Sequence, residues 1–443
     1  MKTVCLFVMS LITLHSFSQN KKKVITPVLP PAPAKVVYNP DSVFAEFTTE
    51  KSRTNYYRTL VSDDIQKNLS TILTDSAAEN KWQKAFTAME RVQYKSPWVS
   101  NRLHEASDKL TGRSISFQQA FIELVYGMYP GEYAQQVISV FETTEDAKTF
   151  ILCAEYLLQD NNNDHTKKYI QTIYNKKTRP AAFIAACKPL LDKFQEAPGP
   201  VPPIRTLLHA KFFEGSVIVF SIQRKNRDYP GIIVIRQTDG KFYRNSDKTI
   251  YHLPQLARTI TKLPYYVNDG NPPQGIYKIK GYDTTYNDMY SGPTESIELA
   301  MPFQIKVAEY SPKIKNSVPW HIAYYRTLLP LDWQTYSPIY EAFYTGLGSH
   351  NRVMAQGSTI NADYYKGKPY YPLTPSTGGL TTKETWGKAD GRRVQSDQWS
   401  LVSTLKKIAG PYAYYVIVEI DDKHAAVTME DIVDGISFAE GLN

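Results

Sequence analysis

Between residues 43 and 195 apolar positions recur at intervals of three and four. Phe117, Ala120, Phe121, Leu124, Val125 and Met128 form one stripe, and Ala147, Phe150, Ile151, Ala154, Leu157 and Leu158 another. This spacing aligns side chains on one face of an α-helix. Each stripe has to be buried against another helix, so the stretch predicts an all-α domain. Asp63 and Asp64, ahead of Ile65, Leu69 and Ile72, are expected to cap one helix, and Pro130-Gly131 to end the Phe117 helix. No fixed period holds across the stretch, so a helical-repeat arrangement is compatible with the pattern without being required by it.

The period changes after Glu196–Pro203, EAPGPVPP, where Pro and Gly are too dense for a helix or a central strand. Beyond it come short β-branched and aromatic runs: SVIVFSI from Ser216, GIIVIRQ from Gly231, GIYKIKG from Gly275, FQIKVAEY from Phe303 and AYYVIVEID from Ala413. Asp239-Gly240 after the second run signals a hairpin. Leu401, Val402, Leu405 and Ile408 predict a helix packed on the sheet. The expected class is α+β and multidomain, with an α-helical domain at 43–195, a Pro-rich linker at 196–203 and a mainly β domain at 204–443.

Ahead of these, residues 1–18 read as a signal peptide. They carry a basic Lys2, an apolar stretch from Val4 to Leu14, and small Ser16 and Ser18 before a cleavage expected near Ser18/Gln19. Residues 19–42 read as a disordered tether. No segment is apolar for the roughly 18 residues a spanning helix needs. The expected product is periplasmic or secreted. Lys and Arg number 51 against 43 Asp and Glu, a formal charge of +8, and no basic block is dense enough to call for nucleic acid. Cys153 and Cys187 both fall in helical segments; export permits a disulfide, and two buried thiols serve equally well. No residue set has metal-ligand spacing, and no cofactor is expected.

Candidate chemistry lies late in the chain. Pro273-Gln274-Gly275-Ile276-Tyr277, Gly292-Pro293 and Met301-Pro302-Phe303 occur in that order. They precede Gln356-Gly357-Ser358 and then Pro375-Ser376-Thr377-Gly378-Gly379-Leu380-Thr381. This succession resembles the L,D-transpeptidase family, β-fold enzymes that crosslink cell-wall peptides through a cysteine, over roughly residues 210 to 420. The family places His-Gly-Thr/Ser first and Ser-His-Gly-Cys-x-Arg second. The resemblance therefore puts Gln356 where the histidine base stands, Thr377 at the second histidine, Gly379 at the cysteine and Thr381 at the arginine. Gly357, Ser358, Ser376 and Gly378 match.

Acyl transfer needs a thiolate activated by an imidazole and donors for the oxyanion. Glycine offers no nucleophile, and Gln356 has no nitrogen that accepts a proton near neutral pH. Ser376 with His350 is the conceivable surrogate pair. Gln356, Ser358, Ser376, Gly378, Tyr370 and Arg392 are the expected ligand contacts. Tyr364, Tyr365, Tyr370 and Tyr371 with Lys366 and Lys368 form either a rim that stacks on sugars or ordinary loop packing.

The favoured function is an inactive transpeptidase-like module. It would bind peptidoglycan peptide stems or scaffold the envelope, and its helical domain would meet a protein partner. One alternative is an active wall transpeptidase or hydrolase with a non-cysteine nucleophile. Another is a surface interaction protein unrelated to the wall.

Overall fold

The first helical turns are set by side-chain caps. In the computed structural model, Thr49, Asp75, Ser96, Ser114, Asp146 and Asn163 each accept the backbone N–H three residues on, satisfying donors that a helix start leaves open. They begin α1 (Glu50–Thr59), α2 (Ser76–Val92), α3 (Pro97–Ser107), α4 (Ile115–Met128), α6 (Ala147–Asp160) and α7 (Asp164–Asn175), with α5 (Ala134–Thr143) and α8 (Ala181–Gln195) completing the helical region. The structure describes residues 43–195, 199–211, 215–285, 293–311, 318–348, 353–358, 363–408 and 412–442, all within one compact unit, Pro33–Asn443. The expected leader (1–18) and tether (19–42) lie outside the described residues, as do Gly292 and His350.

Asp63 and Asp64 do not cap a helix. The chain runs on from α1 into π-helical turns at Leu60–Lys67, and the cap falls to Asp75. The predicted stripes of α4 and α6 are buried. In α6 every residue from Thr149 to Leu158 is inside, as expected of a helix with neighbours on all sides. Helix α2 packs on α4, α4 on α6 and α6 on α8. Cys153 and Cys187 are free thiols, both fully buried, and desolvation pushes both upward, Cys187 to about 12.

After a short helix α9 (Ile204–His209), nine strands follow among the described residues: β1 (Val217–Gln223), β2 (Gly231–Arg236), β3 (His252–Leu256), β4 (Gly275–Thr284), β5 (Glu295–Ala300), β6 (Val353–Ser358), β7 (Leu380–Trp386), β8 (Arg393–Ser396) and β9 (Ala413–Glu419), with helices α10 (Val307–Tyr310), α11 (Ile322–Arg326) and α12 (Glu341–Gly348) between β5 and β6. Their order is β3-β2-β1-β9-β4-β5-β6-β7-β8, and a β3–β7 pairing closes the first eight into a barrel. Closure leaves those strands without open edges. The pairs β1–β9 and β6–β7 are parallel and the rest antiparallel.

One apolar cluster draws on every barrel strand and fills the interior. It includes Val219, Ile233, Leu253, Tyr277, Ile297, Ala355, Leu380 and Tyr415, together with Leu401, Val402 and Leu405 of α13 (Asp397–Ile408). A second cluster covers the outside of β1, β2, β4 and β9, using α9, α14 (Val433–Ala439) and the insertion between β5 and β6. The Asp239-Gly240 turn is present, with Gly240 at φ +86°. The FQIKVAEY run is not a strand. Gln304 Oε1 accepts Met301 N–H at 2.9 Å, Phe303 sits at φ +71°, and Val307–Tyr310 turns as helix, a local side-chain bond displacing a ladder.

Candidate functional site

The two glycine-bearing segments singled out in the sequence lie on adjacent strands. Parallel β6 and β7 pair Ala355 with Leu380, Gln356 with Thr381, Gly357 with Thr382 and Ser358 with Lys383. Side chains alternate along a strand, and Ala355 and Leu380 face the barrel interior. Gln356, Ser358 and Thr381 therefore share the outer face, and Gly379 stands two register positions from Gln356.

Residues 363–379, which lead into β7, fold down over this face. Leu256, Tyr365, Tyr370 and Leu373 form a small core beneath it. Ser358 Oγ bonds the Thr374 hydroxyl and accepts Thr374 N–H at 2.7 Å, while Thr381 Oγ1 donates to Thr374 O at 2.7 Å. Ser358 is thus a loop anchor. Tyr370 is 1% exposed with Arg258 4.7 Å from its ring, which makes it loop packing and removes it from any surface that could stack on a ligand. Tyr364 is half-buried and Tyr371 exposed.

Position 379, where the resemblance would put a nucleophile, is closed. A Cβ added at Gly379 would lie 2.5 Å from the carbonyl oxygen of Met354 on β6, a backbone atom that cannot swing aside. Gly379 N–H is given to Ser376 Oγ at 2.8 Å, and Ser376 Oγ donates to Gly379 O at 2.6 Å. The ring ties up both the Ser376 hydroxyl and the Gly379 N–H. Ser376 is also held by Arg258 O and Ile260 N–H. Gly378, at φ +112° with open space around a would-be Cβ, supplies a conformation that L-residues avoid.

Gly357 is fixed by packing. A Cβ there would fall 2.3 Å from Glu384 Cδ and 2.4 Å from Thr294 Oγ1. Glu384 is buried inside the barrel end, where it accepts bonds from Thr294 at 2.7 Å and from Ser396 and lies 3.5 Å from Arg393, which forks onto Glu295. Desolvation nevertheless lifts Glu384 to about 7, and Ser396 and Arg393 offset only part of that. A second carboxylate, Glu341 at the start of α12 (Glu341–Gly348), accepts Gln274 N–H at 2.9 Å and is pushed up to about 8, first by desolvation and then by Glu419. Pro273-Gln274-Gly275 opens β4 there, and Gly275 at φ +144° lets Tyr325 Oη reach Ile276 N–H at 2.7 Å.

The opening beside Thr377 and Gly378 is small. Tyr265, Asp269, Asn271, Pro273 and Val353 complete a cavity of about 20 Å³, room for about one water. Neither Glu341 nor Glu384 lines it. Residues 260–271 cover the opening from above because they are embedded in the helical region. Leu263 and Val267 belong to the helical core, Tyr266 Oη bonds Glu155 of α6, and Lys193 of α8 lies 4.6 Å from the Tyr266 ring.

Arg392 is not part of this site. It neighbours the Trp386 end of β7, five residues from Thr381 and so about 16 Å along the strand. The sequence reading missed Met354, Glu384 and the covering loop. Only the last had a signal, the apolar and aromatic run Leu263 to Val267 inside a Pro/Asn/Gly-rich stretch. Among the described residues no group of three or more His, Cys, Asp or Glu is placed to hold a metal ion, and no helix is long and apolar enough to cross a membrane. Compared with family models, curated proteins and solved structures, the chain matches none.

Proposed function

We propose that this chain is a transpeptidase-like envelope module that works by binding and not by catalysis. The observation that carries the reading is the β6–β7 pair: Gln356 and Gly379 sit on neighbouring parallel segments, two register positions apart, and neither residue is a thiol or an imidazole. The cysteine mechanism that the resemblance implies requires both, and the Met354 carbonyl occupies the space in which a side chain at residue 379 would begin. A hydroxyl mechanism is disfavoured by the same geometry, since Ser376 is closed on Gly379 in both directions. The reading places the protein in the periplasm or outside the cell, retained on peptidoglycan or on a wall-bound partner.

The test is to incubate the purified chain with muropeptides and with isolated sacculi. Retention on sacculi without crosslinked, exchanged or hydrolysed muropeptides in the mass spectrum is the expected result. A product that disappears in Ser376→Ala refutes it.

A further inference from the structure

A cavity among the described residues lies away from the β6–β7 cleft. It has a volume of about 330 Å³ and forms where α1 meets the segments on either side of β7, at the lower end of the range of about 300–1,000 Å³ typical of small-molecule sites. Glu50, Arg53 and Tyr57 repeat at helical spacing and present one face of α1 to it, and Asp363, Tyr364 and Lys388 form the opposite wall. The walls are tied together before any ligand arrives, because Glu50 N–H donates to Lys388 O at 2.8 Å and Ala45 N–H to Gly391 O at 2.9 Å.

Two features decide what such a pocket accepts. The Tyr57 and Tyr364 rings lie 6.2 Å apart and are inclined by only 21°, and Tyr57 keeps 37% of its surface exposed, so together they make an aromatic shelf. Around it stand the carboxylates Glu50 and Asp363 and the cations Arg53 and Lys388, with Lys366 bonded to Asp363 from beside the pocket. Asp363 is kept ionised and held in place, chiefly by its bond from Lys366 at 2.8 Å, with Lys388 3.8 Å away. Lys366 and Lys388 are both drawn to Asp363, so the surplus of one positive charge does not select phosphate or a carboxylate-rich peptide, and the charged lining excludes an acyl chain. Alternating acceptors and donors above an aromatic face instead suit a ring that is apolar on one side and carries hydroxyls at its edge, each both donor and acceptor.

We infer that this pocket binds an uncharged saccharide of one or two rings. The inference goes beyond the wall-module reading and does not depend on the closed cleft. The probe is the peptide-free tetramer of N-acetylglucosamine, titrated into the purified chain by calorimetry and followed by saturation-transfer NMR. The expected result is saturable binding, with ring C–H protons receiving the strongest transfer. Tyr57→Ala should weaken binding roughly tenfold while Tyr57→Phe retains it, as loss and retention of one stacked face predict. Asp363→Asn should also weaken it, Gln356→Ala should not, and urea unfolding confirms that each variant is folded. Absence of binding at millimolar sugar, parental affinity in Tyr57→Ala, or binding only of peptide-bearing fragments overturns the assignment. Loss of sugar binding in Tyr57→Ala with sacculus retention intact upholds it and separates this pocket from the rest of the wall contact.

Discussion

Placing a cysteine at 379 and a histidine at 356, as the resemblance to transpeptidases suggests, should not create acyl-transfer chemistry. In Gly379→Cys the new Cβ would sit 2.5 Å from Met354 O and 3.5 Å from its carbonyl carbon, inside the closest approach real Cβ atoms make. The residue has no positive φ to relieve, so the whole penalty is steric. Either β6 and the Gly378-Gly379 turn separate by most of an ångström or the contact persists. Overpacking of this kind costs about 1–3 kcal/mol. Unfolding entropy near 2 cal/mol/K per residue makes a unit of this size lose only about 1 °C per kcal/mol, so urea midpoints resolve the change better than melting does.

The second half of the test is the thiol. In Gln356→His/Gly379→Cys, a working dyad would lower its pKa from about 8.5 to about 7.5 or below. The expectation is a destabilised protein whose added cysteine alkylates slowly, with an unshifted pH profile. A double variant as stable as the parent, alkylating with a depressed thiol pKa, would show that the cleft is still open and refute the steric argument.

Three further outcomes follow from the packing. The folded chain holds a proton on Glu384 up to about pH 7 that the unfolded chain releases near 4.5; because the folded state then binds more protons, this group's contribution to stability falls as pH rises through that window. Glu384→Gln should remove the slope, and a parent-minus-variant difference that stays flat from pH 4 to 8 contradicts the burial argument. Leu263→Ala, fully buried in the helical core, should cost about 2–5 kcal/mol in urea unfolding, and a near-zero cost would mean that the covering loop is not part of that core. In a chain beginning at Gln19, a thiol reagent should find neither Cys153 nor Cys187 before denaturation and both after it, since each is 0% exposed.

The helices and the aliphatic strands were legible because their patterns are local. A stripe at three-four spacing, as in α4 and α6, or a run such as Val217–Ile222, states that a face must be buried before anything is known of the neighbour. The Gln356-Gly357-Ser358 and Ser376–Thr381 frames were visible for the same reason, as short contiguous segments. What the pattern could not supply is the identity of the burying surface. Strands β5, β7 and β8 read as polar because Glu295, Thr382, Glu384, Arg393 and Ser396 bond with one another or with α13, and those partners become neighbours only when β6 pairs with both β5 and β7. The closure of the barrel, the Met354 carbonyl against Gly379, the loop embedded among the helices and the Tyr57–Tyr364 pocket join residues up to more than 300 positions apart. Such distances belong to the folded chain alone, since a period along the sequence records that a side chain is covered and not by what.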